Sequence, residues 1–253
     1  MVVHVPHDHS FRISRPDRSV SLGAPNACNA CHRDKPPEWA AAAIEHWYGP
    51  KRKGWQTFGE ALRAARAEEL DAPVLLHRTI NDPNTPGIAV ATAYAQMAPY
   101  LNPALAADLR RGLADTDPLI RLGALRGLEG VPPEQRWALA NGLLGDPVRA
   151  VRIEATALLA PFPAVRLSSD DRERFRRAAQ EYIQVQRLHA DRPEGRVTLG
   201  AFFSRQGEPA RAEAEYRAAI KLAPCSIPAY VNLADLYRGL NRDKEGEACC
   251  GRR

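Results

Sequence analysis

Three residues with reactive side chains stand together at Cys28-Asn29-Ala30-Cys31-His32. Two thiols two residues apart, followed at once by an imidazole, form the C-x-x-C-H signature of covalent haem attachment. Each thiol can form a thioether with a haem vinyl group, and the adjoining His is placed to ligate the iron. On this reading Cys28 and Cys31 hold one haem c, and His32 is its proximal axial ligand. A six-coordinate iron needs a distal ligand as well. The candidates are His4, His7, His9 and His46, and three of them crowd into His4-Val5-Pro6-His7-Asp8-His9. Coil segments seldom bury three imidazoles, so packing does not explain the cluster; His9 is the first choice of distal ligand and His7 the second.

Other chemistries use the same residue types. Two Cys with two of the nearby His could form a tetrahedral zinc set, although the His lie upstream of the Cys rather than after them. A thioredoxin-like dithiol requires a surrounding βαβ pattern, which is lacking. There is no Gly-rich phosphate loop, nucleophile elbow, H-E-x-x-H or acid–base constellation. The chain reads as an electron carrier or an interaction protein rather than an enzyme.

The elements that must position these residues read as all-α. Residues 1–37 are rich in Pro, Ser, His and Asn without periodicity, which predicts irregular coil. A helix is predicted from Pro37 to Tyr48, opened by Pro36-Pro37 and closed by Gly49-Pro50, with Ala40, Ala43, Ile44 and Trp47 on one face. A second helix is expected over 56–67. Trp39, Trp47, Tyr48, Trp55 and Phe58 read first as a core joining this segment to the helical repeats beyond it, and alternatively as packing for a porphyrin.

From about 70 to 165 the chain repeats itself. Ile120-Arg121, Ala124 and Leu128 recur 31 residues later as Val151-Arg152, Ala155 and Leu159, and Asp115 recurs as Asp146. Each unit reads as two short helices with Asp-Pro opening the second, and these residues look like HEAT-type repeats. A second repeat comes next, at period 34. Leu199-Gly200, Phe203, Gly207, Ala212, Tyr216, Ala219 and Pro224 match the tetratricopeptide pattern, with a half copy before it (Ala178, Tyr182, Val185) and a further copy opening at Tyr230, Leu233, Ala234 and Tyr237. In that last copy Gly246 replaces the expected Ala, and Cys249-Cys250-Gly251 is expected to interrupt the helix. The predicted organisation is a haem-binding segment at 1–58, HEAT-like repeats at 70–165 and tetratricopeptide repeats at 170–253, the last incomplete.

The net charge of +5 is spread among interleaved acids and bases, so no nucleic-acid partner is expected. No run of 18 apolar residues is present, so no membrane span is expected. The N-terminus shows no basic region, apolar stretch and cleavage site of an export signal. The five Cys do not form a disulfide framework, being split among the motif, Cys225 and Cys249-Cys250.

The stretches His7-Asp8-His9-Ser10-Phe11-Arg12-Ile13, Pro25-Asn26-Ala27-Cys28 with the C-x-x-C-H, and Trp39-Ala40 to Trp47-Tyr48-Gly49 resemble the last haem-binding part of multihaem c-type cytochromes of the cytochrome c-554 kind. The members meant carry HEAT and tetratricopeptide repeats after the haem domain. The resemblance implies one-electron transfer with a redox partner protein, a helical scaffold that binds a protein or peptide, and a periplasmic or otherwise exported location. With a single C-x-x-C-H and no signal, the chain fits a C-terminal fragment of such a protein, other haems lying upstream. The alternative is a non-catalytic repeat scaffold whose Cys/His cluster binds zinc or nothing.

Overall fold

The computed structural model describes residues 15–50, 58–100 and 102–250, with side chains as far as 247. Among them no strand occurs. The helices are α1 (Pro16–Leu22), α2 (Ala27–Cys31), α3 (Pro37–Tyr48), α4 (Phe58–Arg66), α5 (Ala72–Asn81), α6 (Gly87–Ala95), α7 (Pro103–Leu113), α8 (Pro118–Gly127), α9 (Pro133–Ala140), α10 (Arg149–Leu159), α11 (Ser169–Arg187), α12 (Pro193–Arg205), α13 (Pro209–Leu222), α14 (Ile227–Gly239) and α15 (Asp243–Cys250). Short 3-10 turns link some of them. The abundant prolines start helices rather than break them: α1, α3, α7, α8, α9, α12 and α13 each open on one. The first helical N–H has no intrahelical partner, so its loss at proline is harmless there. Side-chain caps supply other starts. Asn102 accepts from the N–H groups of Ala104 and Leu105, and Ser168 accepts from that of Asp171.

Consecutive helices pair as hairpins, α5 with α6, α7 with α8 and α9 with α10. The first members α5, α7 and α9 pack in one row, and the second members α6, α8 and α10 in another. The long α11 joins α10 to α12, after which α12–α13 and α14–α15 continue as pairs. One apolar core runs without interruption from Ala64 to Tyr237. This all-α arrangement is consistent with an α-solenoid. Helices α6 and α8 approach so closely that a Cβ on Gly123 would collide with the backbone of Ala91. Small residues at Ala91, Ala93, Gly123 and Ala124, all buried, make that approach possible.

The 31-residue repetition has a definite physical content. Arg121 donates through Nη1 to the carbonyls of Asp115 (2.7 Å) and Thr116 (3.1 Å). Its counterpart Arg152 donates in the same way to the carbonyls of Asp146 (2.7 Å) and Pro147 (3.2 Å). The two aspartates match as well: Asp115 accepts from the N–H of Asp117 and Asp146 from that of Val148, both at 2.8 Å. Each arginine then reaches into the next unit. Arg121 makes a two-bond pair with Asp146 (2.8 and 2.9 Å), and Arg152 makes one with Glu181 of α11 (2.8 Å for both bonds). The hydrogen bonds from Arg152 hold the Glu181 carboxyl below its ordinary value.

Several expectations change. Residues 15–37 are not wholly irregular. Pro16 and Asp17 start α1, Gly23 ends it in the left-handed region at φ 69°, and Asn26 caps α2. The second predicted helix is seen from Phe58 to Arg66, and 51–57 lie outside the described residues. Asp-Pro opens a second helix only at Asp117-Pro118. Asp82 ends α5, and α6 starts at Gly87, whereas α10 starts at Arg149, beyond Asp146-Pro147. Helix α15 continues through Cys250, so Cys249-Cys250 does not interrupt it.

Arg121 and Asp146 are both buried. Removing one partner of a buried pair leaves an uncompensated charge and costs about 3–5 kcal/mol. Arg121→Met is therefore expected to lower stability by about that amount in urea denaturation, and adding Asp146→Asn should restore part of the loss. A change below about 1 kcal/mol, the range of exposed pairs, would contradict the assignment.

Candidate functional site

The Cys-x-x-Cys-His segment is shaped by two asparagines. The side-chain oxygen of Asn26 accepts from the N–H of Asn29 (3.0 Å), which starts α2. The Asn26 amide donates to Ser19 Oγ of α1 (2.7 Å) and to Asn29 Oδ1 (2.8 Å). The Asn29 amide donates to the carbonyl of Lys35 (2.7 Å), just ahead of α3. This short helix is thus fastened on both sides. Residues three apart on a helix share a face, so α2 presents Cys28 and Cys31 together. His32 is the C-cap, its N–H donating to the carbonyl of Cys28 at 2.8 Å. Its ring centroid lies 4.9 Å from that of Trp39, tilted by 56°. Cys28 is half-buried, and Cys31 and His32 are exposed.

Two thiols on one helical face with an imidazole at its end are the donor set that covalent haem attachment uses. The residues present therefore fit that group. Among the described residues no group of three or more His, Cys, Asp and Glu could hold a metal ion. His4, His7 and His9 lie outside the described residues, as does Trp55. His46 is exposed near the end of α3. His77 Nδ1 donates to Asp108 Oδ2 (2.6 Å), a contact between α5 and α7. The expectation that the aromatic residues form a joining core fails for Trp47 and Tyr48, which are 67% and 70% exposed, and partly for Trp39 at 41%. The side chains buried in α1–α3 are only Pro16, Ser19 and Ala40. Among the described residues of this segment the interior is thus small.

A second site lies where the helix pairs meet α12. Two open hollows of about 250 and 300 Å³ share Ala157 and Arg205 in their walls. One extends over α11 and α12 to Tyr182, Val197, Ala201 and Phe202, and the other over α8 to α10 to Leu125, Glu129, Arg136 and Leu158. Together they make one trough. The amide of Gln206 donates to the carbonyl of Ala160, tying the end of α12 to the end of α10. Sequence reasoning did not find this trough, because its walls are drawn from helices far apart in the chain.

The tetratricopeptide positions occupy the interface of α12 with α13. Leu199, Gly200, Phe203, Ala212, Tyr216 and Ala219 are all buried. A Cβ on Gly200 would collide with the ring of Tyr216, so glycine is required for that ring to lie flat across α12. Ala178 and Tyr182 of the half copy are buried in α11, and Leu233, Ala234 and Tyr237 of the following copy in α14.

Removing the cap at Asn26 should loosen α2, since such a substitution costs about 1 kcal/mol. In protein made without haem, Asn26→Ala is expected to raise the alkylation rate of Cys28 relative to Cys225, read by mass spectrometry. An unchanged rate would mean that the asparagine does not hold the thiol helix.

Residues 193–236, comprising α12, α13 and most of α14, match the tetratricopeptide repeat family. No curated protein and no solved structure gives a significant match to the chain.

Proposed function

We propose that the chain is a protein-interaction scaffold, a run of stacked helix pairs ending in tetratricopeptide repeats. The match at 193–236 carries this reading, because tetratricopeptide repeats stack to form extended surfaces that take protein partners. The open trough beside α12 supports it. Among the described residues no helix is long and apolar enough to cross a membrane. The repeats at 70–165 serve as HEAT-like extensions of the same surface. In the intact cell, cross-linking followed by mass spectrometry is expected to join residues of α10–α14 to one reproducible partner protein. Cross-links confined to the chain itself would contradict the scaffold reading.

A second reading rests on the placement of Cys28, Cys31 and His32 on and at the end of one short helix. Here Cys28 and Cys31 would hold a haem c by thioethers and His32 would be the proximal ligand, with His9 or else His7 as the distal one. When bound, the group supplies one-electron transfer to a redox partner protein. The chain's own part is to hold the two thiols on one face, to orient His32 against Trp39 and to offer Trp47 and Tyr48 as aromatic cover. An exported, periplasmic setting belongs with this reading, because thioether-linked haem is attached outside the cytoplasm.

The test is a pyridine haemochrome spectrum on denatured protein, expressed with an export signal in a haem-c-maturing host. Haem that survives acid–acetone extraction, and is lost in Cys28→Ala/Cys31→Ala, is the expected result. No covalent haem, with stoichiometric zinc in the same sample, would overturn it.

A further inference from the structure

Resting on the haem reading, we infer that Trp39 is the positioning residue of His32. Its indole fixes the orientation of the ligand imidazole by ring contact, in the place that a hydrogen bond takes in most metal-bound histidines. A histidine that ligates a metal usually donates its second ring N–H to a carbonyl or carboxylate, which sets the direction of the ring. Among the described residues no hydrogen bond reaches the ring of His32. Its contact is with Trp39, at 4.9 Å between ring centroids and a tilt of 56°. A ring pair of this kind favours its paired arrangement by about two- to tenfold. For an exposed side chain at the end of a helix, a preference of that size decides which rotamer dominates.

The contact is held from behind by the main chain. His32 ends α2, and Trp39 is the third residue of α3. The N–H of Lys35 donates to the carbonyl of His32 (3.2 Å), folding the chain back after the motif. The Asn29 amide donates to the carbonyl of Lys35 (2.7 Å), which ties that turn to α2 at a residue between the two cysteines. Arg33 Nε adds a bond to the carbonyl of Ala30 (3.3 Å). The N–H of Trp39 then donates to the carbonyl of Pro36 (3.1 Å) as α3 begins. The chain from His32 to Trp39 is thus a tied turn, and the two rings meet at its ends. Trp39 is 41% exposed and lies outside the continuous core, so its ring is not committed to packing the repeats.

Thioethers at Cys28 and Cys31 would fix where a haem sits, but neither orients the imidazole. Trp39 is what this chain supplies for that purpose. The tie consists of the chain's own hydrogen bonds, so the ring contact is expected in protein made without haem as well.

Two readouts on the full chain test the inference. The first is nuclear magnetic resonance of protein made without haem and labelled at the histidine Cε1 carbon. The Cε1 proton of His32 is expected to be displaced by the indole ring current from the position of a free histidine. Trp39→Leu should abolish the displacement, Trp39→Phe should keep part of it, and Asn29→Ala should reduce it. The second is electron paramagnetic resonance of the ferric protein, read on the fraction that carries covalent haem. Wild type and Trp39→Phe are expected to give one signal, and Trp39→Leu a broadened or split one, as the ring takes more than one orientation. A His32 proton unmoved by Trp39→Leu, or a ferric signal unchanged by it, would each overturn the inference and leave the haem reading standing. A displacement untouched by Asn29→Ala would overturn the tie through Lys35. If wild type takes up no covalent haem, the haem reading falls and the positioning role falls with it, even where the displacement is seen.

Discussion

The rest of the structure depends on one repeated arrangement, an arginine that closes its own helix pair and then holds the next. Arg121 binds the carbonyls of Asp115 and Thr116 behind it and the carboxylate of Asp146 ahead; Arg152 does the same with Asp146, Pro147 and Glu181. The helix faces that stack are lined by small residues such as Ala91, Ala124 and Ala155, all buried. Such smooth faces pack closely but have little shape to fix where one helix stops along another. The guanidinium–carboxylate pairs, with two bonds in a fixed plane, fix that register. The second pair also hands the stack over to α11, and through it to the tetratricopeptide helices. One core from Ala64 to Tyr237 results from this continuity, as does the trough between α10 and α12.

The N-terminal segment is organised by different means. It lies outside the continuous core and is joined to α4 through Arg18 and Glu60 and the packing of α1. Its order comes from hydrogen bonds of Asn26 and Asn29 and from helix caps, rather than from burial. A segment with so small an interior, two thiols on one helix face and exposed tryptophans is suited to fold around a large apolar group. The proposed haem would take that place, while the repeats would supply a surface for a partner. Joining the two in one chain would keep a redox centre near the scaffold's partner.

Much of the fold was legible in the sequence where local signals set it. Helix α3 has the bounds that Pro37 and Gly49 dictate. The 31-residue recurrence of Arg121 and Asp115 marked the relay, although its meaning emerged only from the side-chain partners. The 34-residue tetratricopeptide spacing placed Leu199, Gly200 and Tyr216 in one interface. Helices α1 and α2 were missed because each is under eight residues, too short for periodicity to register, and depends on caps. Trp47 was assigned to a core by its spacing, but its side chain is largely exposed. The trough could not be read at all: Tyr182, Arg136 and Arg205 meet only through the stacking of helices distant in sequence. Of the candidate haem ligands, spacing alone placed Cys28, Cys31 and His32 together, and His7 and His9 lie outside the described residues.

The central claim is that the helix pairs and the tetratricopeptide helices form a single continuous scaffold. Hydrogen exchange of the folded chain, read by mass spectrometry, tests it most directly at the joint. Continuity predicts that α10 and α11, spanning Arg149 to Arg187, are protected at least as strongly as α8 before them and α12 after them. Rapid exchange across α10 and α11, dividing the chain into two separately protected blocks, would contradict it.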